Sequence, residues 1–439
     1  MAIEADKVIR KIRWRLVTPL LLLLFLSTID RANVSFAALQ MNEALGLTAE
    51  TYGFGVSLFF VGYIIIQLPS LWLLQRIGMR RWLFLIALVW GLAATGMAFV
   101  QSREAFYTLR VILGIAEGGY APGLMLYLAQ WIPRSHRAGA ISNVMLAVPI
   151  SVVVGGPLSG WLMSIDNPLD MPGWRWMFLI EGLPTLVVGT AVLWLFADRP
   201  RDAHWLNEGE KRWIETQLAS EQTAPQERSS VWSLLGNVRL WAATLCWFAL
   251  MAGAQGLLYW LPQAIRHLSA SSSDLDVGIL SALPWFSIGV GMLVNAWHSD
   301  KTQERYLHVA LATLFAGVLF ALTTLSGDAM ALVALIIAGF FLGAAQGTFW
   351  TIPPTFLSPF ALAAGLGIIN MCGNLAGLIV PVAVGWIRAR TGSFDLPVYS
   401  IAAVLCLGGV VLLWLRARIE RQDAAGAAGL TEGVRASSR

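Results

Sequence analysis

The sequence predicts an all-α membrane protein with twelve transmembrane helices in two six-helix bundles, and three observations carry that prediction. The first is composition: 57% of the 439 residues are apolar, only 13% are charged and the mean hydropathy is +0.66. A soluble domain carries about 25% charged residues. The second is a series of apolar runs near the length of about 20 residues that a spanning helix needs, at 15–38, 51–74, 80–101, 105–131, 139–163, 174–197, 238–265, 275–298, 305–326, 328–352, 358–387 and 394–417. The third is a single long polar interval, 198–237, that leaves six runs on either side. Amides cannot go unpaired in hydrocarbon, and helix-length runs rather than alternating ten-residue ones point to a helical bundle and away from a barrel.

The first segment follows a basic start, Lys7, Arg10, Lys11, Arg13 and Arg15, and then carries Asp30 and Arg31 about halfway along. A secretory leader also has a basic start and an apolar core. No small-residue cleavage site follows here and the charges interrupt the core, so the segment is expected to stay as a span. The second segment holds Tyr63 and ends in a basic turn with Arg76, Arg80 and Arg81. In the fourth, "RVILGIAEGGYAPG" places Arg110 and Glu117 seven residues apart. Two turns of about 3.6 residues bring them onto nearly one face. Gly114 and Gly118 in the same stretch read as a close-packing pair, as does "GGPLSG" in the fifth segment. Arg175 and Glu181 in the sixth read as structural.

The second six segments carry no matching charges. Their midmembrane positions offer Asn295, Gln346, Asn370 and Asn374, with aromatic pairs Tyr259 and Trp260, Trp285 and Phe286, Phe349 and Trp350. The three cysteines lie inside apolar spans and the five histidines are scattered, so neither a disulfide nor a metal site is expected. Within the polar interval, "LNEGEKRWIETQL" has helical charge spacing and "SEQTAPQERSS" reads as a linker, while the Ala, Gly and Ser-rich tail 421–439 is expected to be disordered. Basic residues report orientation. Fifteen lie on one side (Lys7, Arg10, Lys11, Arg13, Arg15, Arg76, Arg80, Arg81, Arg134, Arg137, Lys301, Arg305, Arg416, Arg418, Arg421) and five on the other (Arg103, Arg175, Arg266, Arg388, Arg390), which puts both termini and the central loop in the cytoplasm.

A charge at the bilayer centre costs about 2.5–3.5 kcal/mol on insertion scales, so Asp30, Arg31, Arg110 and Glu117 need partners or a wet cavity. Arginine stays protonated and its planar fork fits a carboxylate, which makes Arg31 and Arg110 candidates to hold an acidic substrate. A carboxyl in a poorly hydrated cavity titrates nearer neutrality, so Asp30 and Glu117 are candidates to exchange protons, Asp30 as the partner of Arg31. Two ion pairs that merely lock helices together are the structural alternative. The charge asymmetry between the halves favours a site for an amphiphilic anion.

Taken together, "DRANVSFAALQM", "YGFGVSLFFVGYIIIQLPS", "LRVILGIAEGGYAPG", "WIPRSHRAGA", "GGPLSGWL", "GWRWMFLIEGLP" and "DRPRDAHWLNEGE" resemble the anion:cation symporter family of the major facilitator superfamily, over almost all of residues 15–417. Basic turns after the second segment ("LLQRIGMRRW") and the eighth ("WHSDKTQERYLH") form a weak internal repeat that suits the six-plus-six layout of these carriers, with substrate near the midplane and alternating access. The resemblance implies proton handling by Asp30 and Glu117, substrate binding or gating by Arg31 and Arg110, and pocket roles for Tyr63 and for Asn370 with Asn374. It also implies a gate at the basic turns, here Arg76, Arg80 and, in the second copy, Asp300. The usual Gly-x-x-x-Asp-Arg-x-Gly of that turn is replaced by "LWLLQRIG", with Leu71 and Gln75 at the Gly and Asp positions.

The expectation is therefore a carrier and not an enzyme, with domains 1–197, 198–237, 238–420 and a tail 421–439. It would take up a small organic carboxylate with protons across the cytoplasmic membrane. An aromatic acid or a short hydroxy-dicarboxylate such as tartrate is favoured; a sugar-acid symporter of the same family and a drug/proton antiporter are the alternatives. No cofactor is expected beyond the coupling protons. The expected partners are the lipid bilayer and the organic anion, with no nucleic acid, and the expected state is a monomer.

Overall fold

In the computed structural model of the chain, residues 5–133, 135–137, 140, 144, 147–165, 170–222, 232–269 and 271–437 are described. Eleven helices among them are long and apolar enough to cross a membrane: α1 Ala5–Ala44, α2 Ala49–Ile77, α3 Met79–Phe99, α4 Arg103–Trp131, α6 Gly173–Leu195, α7 Val238–Leu268, α8 Asp274–Thr302, α9 Tyr306–Thr323, α10 Asp328–Thr355, α11 Ala361–Thr391 and α12 Asp395–Gln422. A shorter apolar helix, α5 Ala147–Met163, completes the expected set; the start of its predicted 139–163 segment, and Arg134, lie outside the described residues. Large apolar side chains such as Leu68, Val187 and Trp194 point outward, as expected where the solvent is hydrocarbon.

Local chemistry sets the helix ends. Thr48 and Thr51 form a reciprocal cap at the start of α2, Ser102 accepts the Ala105 amide at the start of α4, and Gly78 (φ 84°) turns the chain between α2 and α3 in a conformation that disfavours other residues. A π-helical turn, Arg13–Val17, interrupts α1. α4 breaks at Gly119 into Arg103–Gly118 and Tyr120–Trp131.

The chain divides into two compact units, Met1–Gln226 with Gly256–Phe286 and Gly377–Phe394, and Glu227–Gln255 with Ser287–Ala376 and Asp395–Arg439. This division differs from a cut at the central loop, because residues 256–268 of α7, 274–286 of α8 and 377–391 of α11 pack within the first unit. There Tyr52 Oη donates to the Tyr259 carbonyl at 3.1 Å and Arg388 Nη1 to Gln263 at 2.8 Å. Glycines permit the close approach: a methyl on Gly53 would lie 2.2 Å from the Pro381 carbonyl oxygen, one on Gly156 2.8 Å from that of Gly278, one on Gly160 2.5 Å from that of Asp274 and one on Gly385 2.4 Å from that of Ala49.

Each unit repeats one packing device. In the first, a Cβ on Gly114 of α4 would sit 1.9 Å from the Phe59 carbonyl of α2, and one on Gly62 of α2 would sit 2.4 Å from the Val111 carbonyl of α4. In the second, Gly343 of α10 meets the Ile288 carbonyl of α8 and Gly291 of α8 meets the Phe340 carbonyl of α10 in the same way. The small-residue reading of Gly114 and Gly118 thus agrees with the packing, and the internal repeat extends from the basic turns to a helix pair.

The expected surface helix is present at Glu208–Gln222. Asn207 and Glu210 cap its start reciprocally, Lys11 Nζ reaches Glu210 at 2.5 Å, Arg137 reaches Glu221 at 3.2 Å, and Trp131 stacks on Trp205. Burial works against ionisation of Glu210, but the Lys11 hydrogen bond, the Asn207 amide and the Lys11 charge together hold its carboxyl below its ordinary range. Most of the expected linker, its residues 223–230, lies outside the described residues. The tail departs from expectation: the last helix continues from Asp395 to Ser437 rather than ending near Arg421. Alanines, Leu430, Glu432 and Arg435 are good helix formers, and a preceding helix removes the nucleation cost, so the composition that suggested disorder propagates a helix instead.

Candidate functional site

The first unit gathers the four midmembrane charges around α1 and α4, but not in the pairs expected. Ser27, Asp30 and Arg31 come from α1, Phe59 and Tyr63 from α2, and Arg110 and Glu117 from α4. Arg31 Nε donates to Glu117 Oε2 at 2.7 Å, its Nη2 donates to Ser27 Oγ at 3.1 Å, and Ser27 Oγ donates to the same Glu117 oxygen at 2.6 Å. Glu117 is 1% exposed, and its Oε1 has no hydrogen-bond partner among the described residues. The Arg31 side chain keeps 24% of its surface open. One wall of this site is therefore a buried carboxylate and the other a partly wet cation.

Aromatic rings complete the setting. Arg31 Cζ lies 5.3 Å from both the Phe59 and Tyr63 ring centroids, and Arg110 Cζ lies 5.0 Å from Phe59, so two guanidinium groups share one ring. Cations over ring faces are held without a counter-anion. Arg110, 1% exposed, also donates through Nη2 to the Val56 carbonyl at 3.3 Å while its Nε is unpaired. Tyr259, from the part of α7 within this unit, stands beside Arg110. An arginine that keeps a free donor and touches no carboxylate is suited to receive one.

The expected pairing of Asp30 with Arg31 is corrected by this geometry. Successive residues on a helix point about 100° apart. Asp30 accordingly turns away from Arg31 into the space between α1, α3 and α6. Its Oδ2 accepts from Trp90 Nε1 at 2.7 Å and from Thr185 Oγ1 at 3.5 Å, and its Oδ1 accepts from Asn33 at 3.5 Å. All three donors are neutral, and Asp30 is 2% exposed. Arg110 and Glu117 do share one face of α4, but Arg31 rather than Arg110 takes the carboxylate.

The gate candidates are placed on local partners. Arg76 lies over the Trp72 ring at 3.6 Å, and the Arg80 amide donates to Asp198 Oδ1 at 2.9 Å. Asp198 thus caps α3 at the turn where Gln75 replaces the usual Asp, beside a cavity of about 420 Å³ lined by Gln75, Arg76, Gln130, Asp198 and Arg199. In the second unit Asp300 accepts from Arg305 Nη1 at 2.5 Å. Asn295 is bonded to the Ala344 carbonyl and Thr348. Asn370 is exposed on α11 and Asn374 has a buried amide nitrogen without a partner. Trp247, Phe349 and Trp350 form one cluster, with Trp247 stacked 4.8 Å from Phe349. No group of three or more metal-binding side chains occurs among the described residues.

Residues 20–381 match the Major Facilitator Superfamily. The chain belongs to that superfamily. A facilitator of this kind is a carrier and not an enzyme, and this one is a multi-pass membrane transporter. It is 40% identical over 411 residues to a "Putative tartrate transporter" of Agrobacterium vitis, covering 93% of this chain and 94% of that one. It is 33% identical over 425 residues to the "Quinolone resistance transporter" of Acinetobacter baumannii, covering 96% and 98%. Among solved structures, the facilitator fold matches a bacterial homologue of the human lysosomal transporter Spinster with a TM-score of 0.73 at 16% identity, covering 92% of this chain and 97% of that one. It matches a D-xylose-proton symporter with a TM-score of 0.72 at 17% identity, covering 91% and 97%.

Sequence reasoning missed Ser27, Phe59 and Trp247, and it read Glu181 as structural; that carboxyl is 4% exposed. Ser27 was accessible: it stands four residues before Arg31, on the same helix face. Phe59 stands four residues before Tyr63 and could have been found by the same spacing.

Proposed function

We propose that this facilitator takes up a small organic carboxylate together with protons, by alternating access of its two halves, 1–197 and 238–420, across the cytoplasmic membrane, as a monomer with both termini and the loop 198–237 in the cytoplasm. The observation that carries the reading is the occupancy of Arg31 by Glu117 and Ser27. A substrate carboxylate and the Glu117 carboxylate compete for one guanidinium. Protonation of Glu117 removes its charge and weakens its claim, so proton entry frees Arg31 for the anion. Arg110, with its unpaired Nε, is the second contact for the same anion. Release to the cytoplasm returns Arg31 to Glu117 as the proton leaves.

The neutral amides and aromatics of the second half, Asn370 and Asn374 among them, are assigned to the remainder of the substrate. The 40% identical relative supports a hydroxy-dicarboxylate such as tartrate; an aromatic acid and a sugar acid are the other members of the class. Arg76, Arg80 and Asp300 are assigned to the cytoplasmic gate. Export of a drug in exchange for protons is the second reading, favoured by the relative named for quinolone resistance.

The deciding measurement is uptake of labelled tartrate, phthalate, 4-hydroxyphenylacetate and galactonate into proteoliposomes, with and without an inward proton gradient. Accumulation of one acid driven by the gradient is the expected result. Uptake indifferent to the gradient would remove proton coupling, and absence of uptake with resistance to a quinolone in cells would establish the export reading.

A further inference from the structure

On the side of α1 away from Arg31, the first unit encloses a second acidic group that the transport reading has not used. Glu181 of α6 is buried, with Oε1 accepting from Ser159 Oγ of α5 at 2.8 Å and Oε2 left without a partner. Asn33 of α1, 1% exposed, stands between the two acids: its amide nitrogen reaches Asp30 at 3.5 Å, its side chain also interacts with Glu181, and its Oδ1 is unpartnered. The groups facing this pocket are Asp30 and Asn33 from α1, Trp90 from α3, Ser159 from α5, and Glu181 and Thr185 from α6, with Glu117 of α4 on the far side of Asp30. Among the described residues, every hydrogen bond made to either acid comes from a neutral side chain.

Two carboxylates without a cation are costly where the surroundings are hydrocarbon, whereas a neutral carboxyl offers a donor. A proton on Glu181 supplies the one thing the pocket lacks: a hydrogen to place against a buried acceptor, of which Asn33 Oδ1 is one.

We propose that Glu181 is a proton-carrying group of this transporter, joined to Asp30 through Asn33 into a two-acid pocket on the face of α1 opposite the Arg31–Glu117 site. The inference rests on the proton-coupled reading for its role in transport. The two pockets are linked because Asp30 and Arg31 are neighbours on one helix: a displacement of α1 that repositions Arg31 also repositions Asp30 against Trp90 and Asn33. Transport then carries a proton in addition to the one exchanged at Glu117.

The first test needs no substrate. Infrared spectra of the purified full chain in lipid, at neutral and at alkaline pH, show a carbonyl stretch for each neutral carboxyl that a carboxylate lacks. Glu181→Gln is expected to remove one component at neutral pH, Asp30→Asn another, and Asn33→Ala, which keeps both acids, to shift both. A wild-type carboxyl band in Glu181→Gln would mean that Glu181 is ionised, and the proposal would fall. The second test is accumulation of labelled tartrate, or of the panel acid that accumulates most, at a proton gradient of about one pH unit. Loss of one coupled proton lowers steady-state accumulation about tenfold, so Glu181→Gln should lose that factor while counterflow falls less. Undiminished accumulation would overturn the role in transport. A wild-type protein indifferent to the gradient would instead overturn the coupling assigned to Glu117 and leave the infrared result standing.

Discussion

Asp30 and Arg31 are adjacent in sequence and opposite in charge, yet they serve two different regions. Arg31 opens toward α2 and α4, where a carboxylate, a hydroxyl and two aromatic rings hold it while part of its surface stays accessible. Asp30 is closed in by α3 and α6 among neutral donors and a second acid. The difference teaches that a charged pair read from sequence is not an ion pair, because neighbouring residues on a helix do not face each other. It also separates two settings: one region leaves its cation partly exposed beside a carboxylate, the other closes an acid in on all sides.

The largest expected effect falls on the Arg31–Glu117 region. Glu117→Gln keeps the shape of the site and the Ser27 contact but removes the group whose proton releases Arg31, so gradient-driven accumulation should fall by at least the roughly tenfold of one coupled proton while some counterflow persists. Full accumulation in that variant would erase the distinction between the regions. Next is Arg110→Lys, which replaces a planar fork by a point charge. Loss of one of two substrate hydrogen bonds of this charge-assisted kind costs about 1.5–3 kcal/mol, or roughly tenfold or more in half-saturation concentration, read in uptake kinetics.

The closed region responds through stability. Trp90→Phe leaves the buried Asp30 Oδ2 with only the long Thr185 contact, and an unsatisfied buried acceptor costs about 1–3 kcal/mol; thermal unfolding in detergent should show the loss, with half-saturation little changed. An unaltered melting temperature would mean that the Trp90 contact does not hold the pocket. The smallest effect lies outside the membrane, at Lys11 and Glu210. Because the folded state lowers the Glu210 pKa, this tie contributes above the ordinary glutamate value of about 4.3 and is lost as pH falls through the lowered folded-state value. Lys11 is half exposed and screened by water, so Lys11→Ala should cost less than about 1 kcal/mol at neutral pH and nothing in strong acid, as unfolding at the two pH values would show.

The fold was legible because lipid leaves few solutions: apolar runs of spanning length must be helices, and twelve of them with a central polar break suffice to name the layout. The helix 110–117 was legible for a local reason, since two turns of one helix fix which residues share a face. What stayed hidden depends on neighbours distant in sequence. The partner of Glu117 is 86 residues away on another helix, and no spacing rule distinguishes Arg31 from Arg110 as its claimant. Glu181 lay within a helix turn or two of a segment end by hydropathy, yet it is buried against side chains of α5 and α1. Asp198, which caps the turn that lacks its usual Asp, is 118 residues from the amide that it accepts.

Four glycines of the first unit bear on how such a sequence can drift. At Gly53, Gly156, Gly160 and Gly385 the opposing backbone leaves less room than a methyl group occupies. Any side chain there must push against a carbonyl rather than a flexible neighbour. Variation at these positions is therefore filtered by geometry before chemistry is consulted.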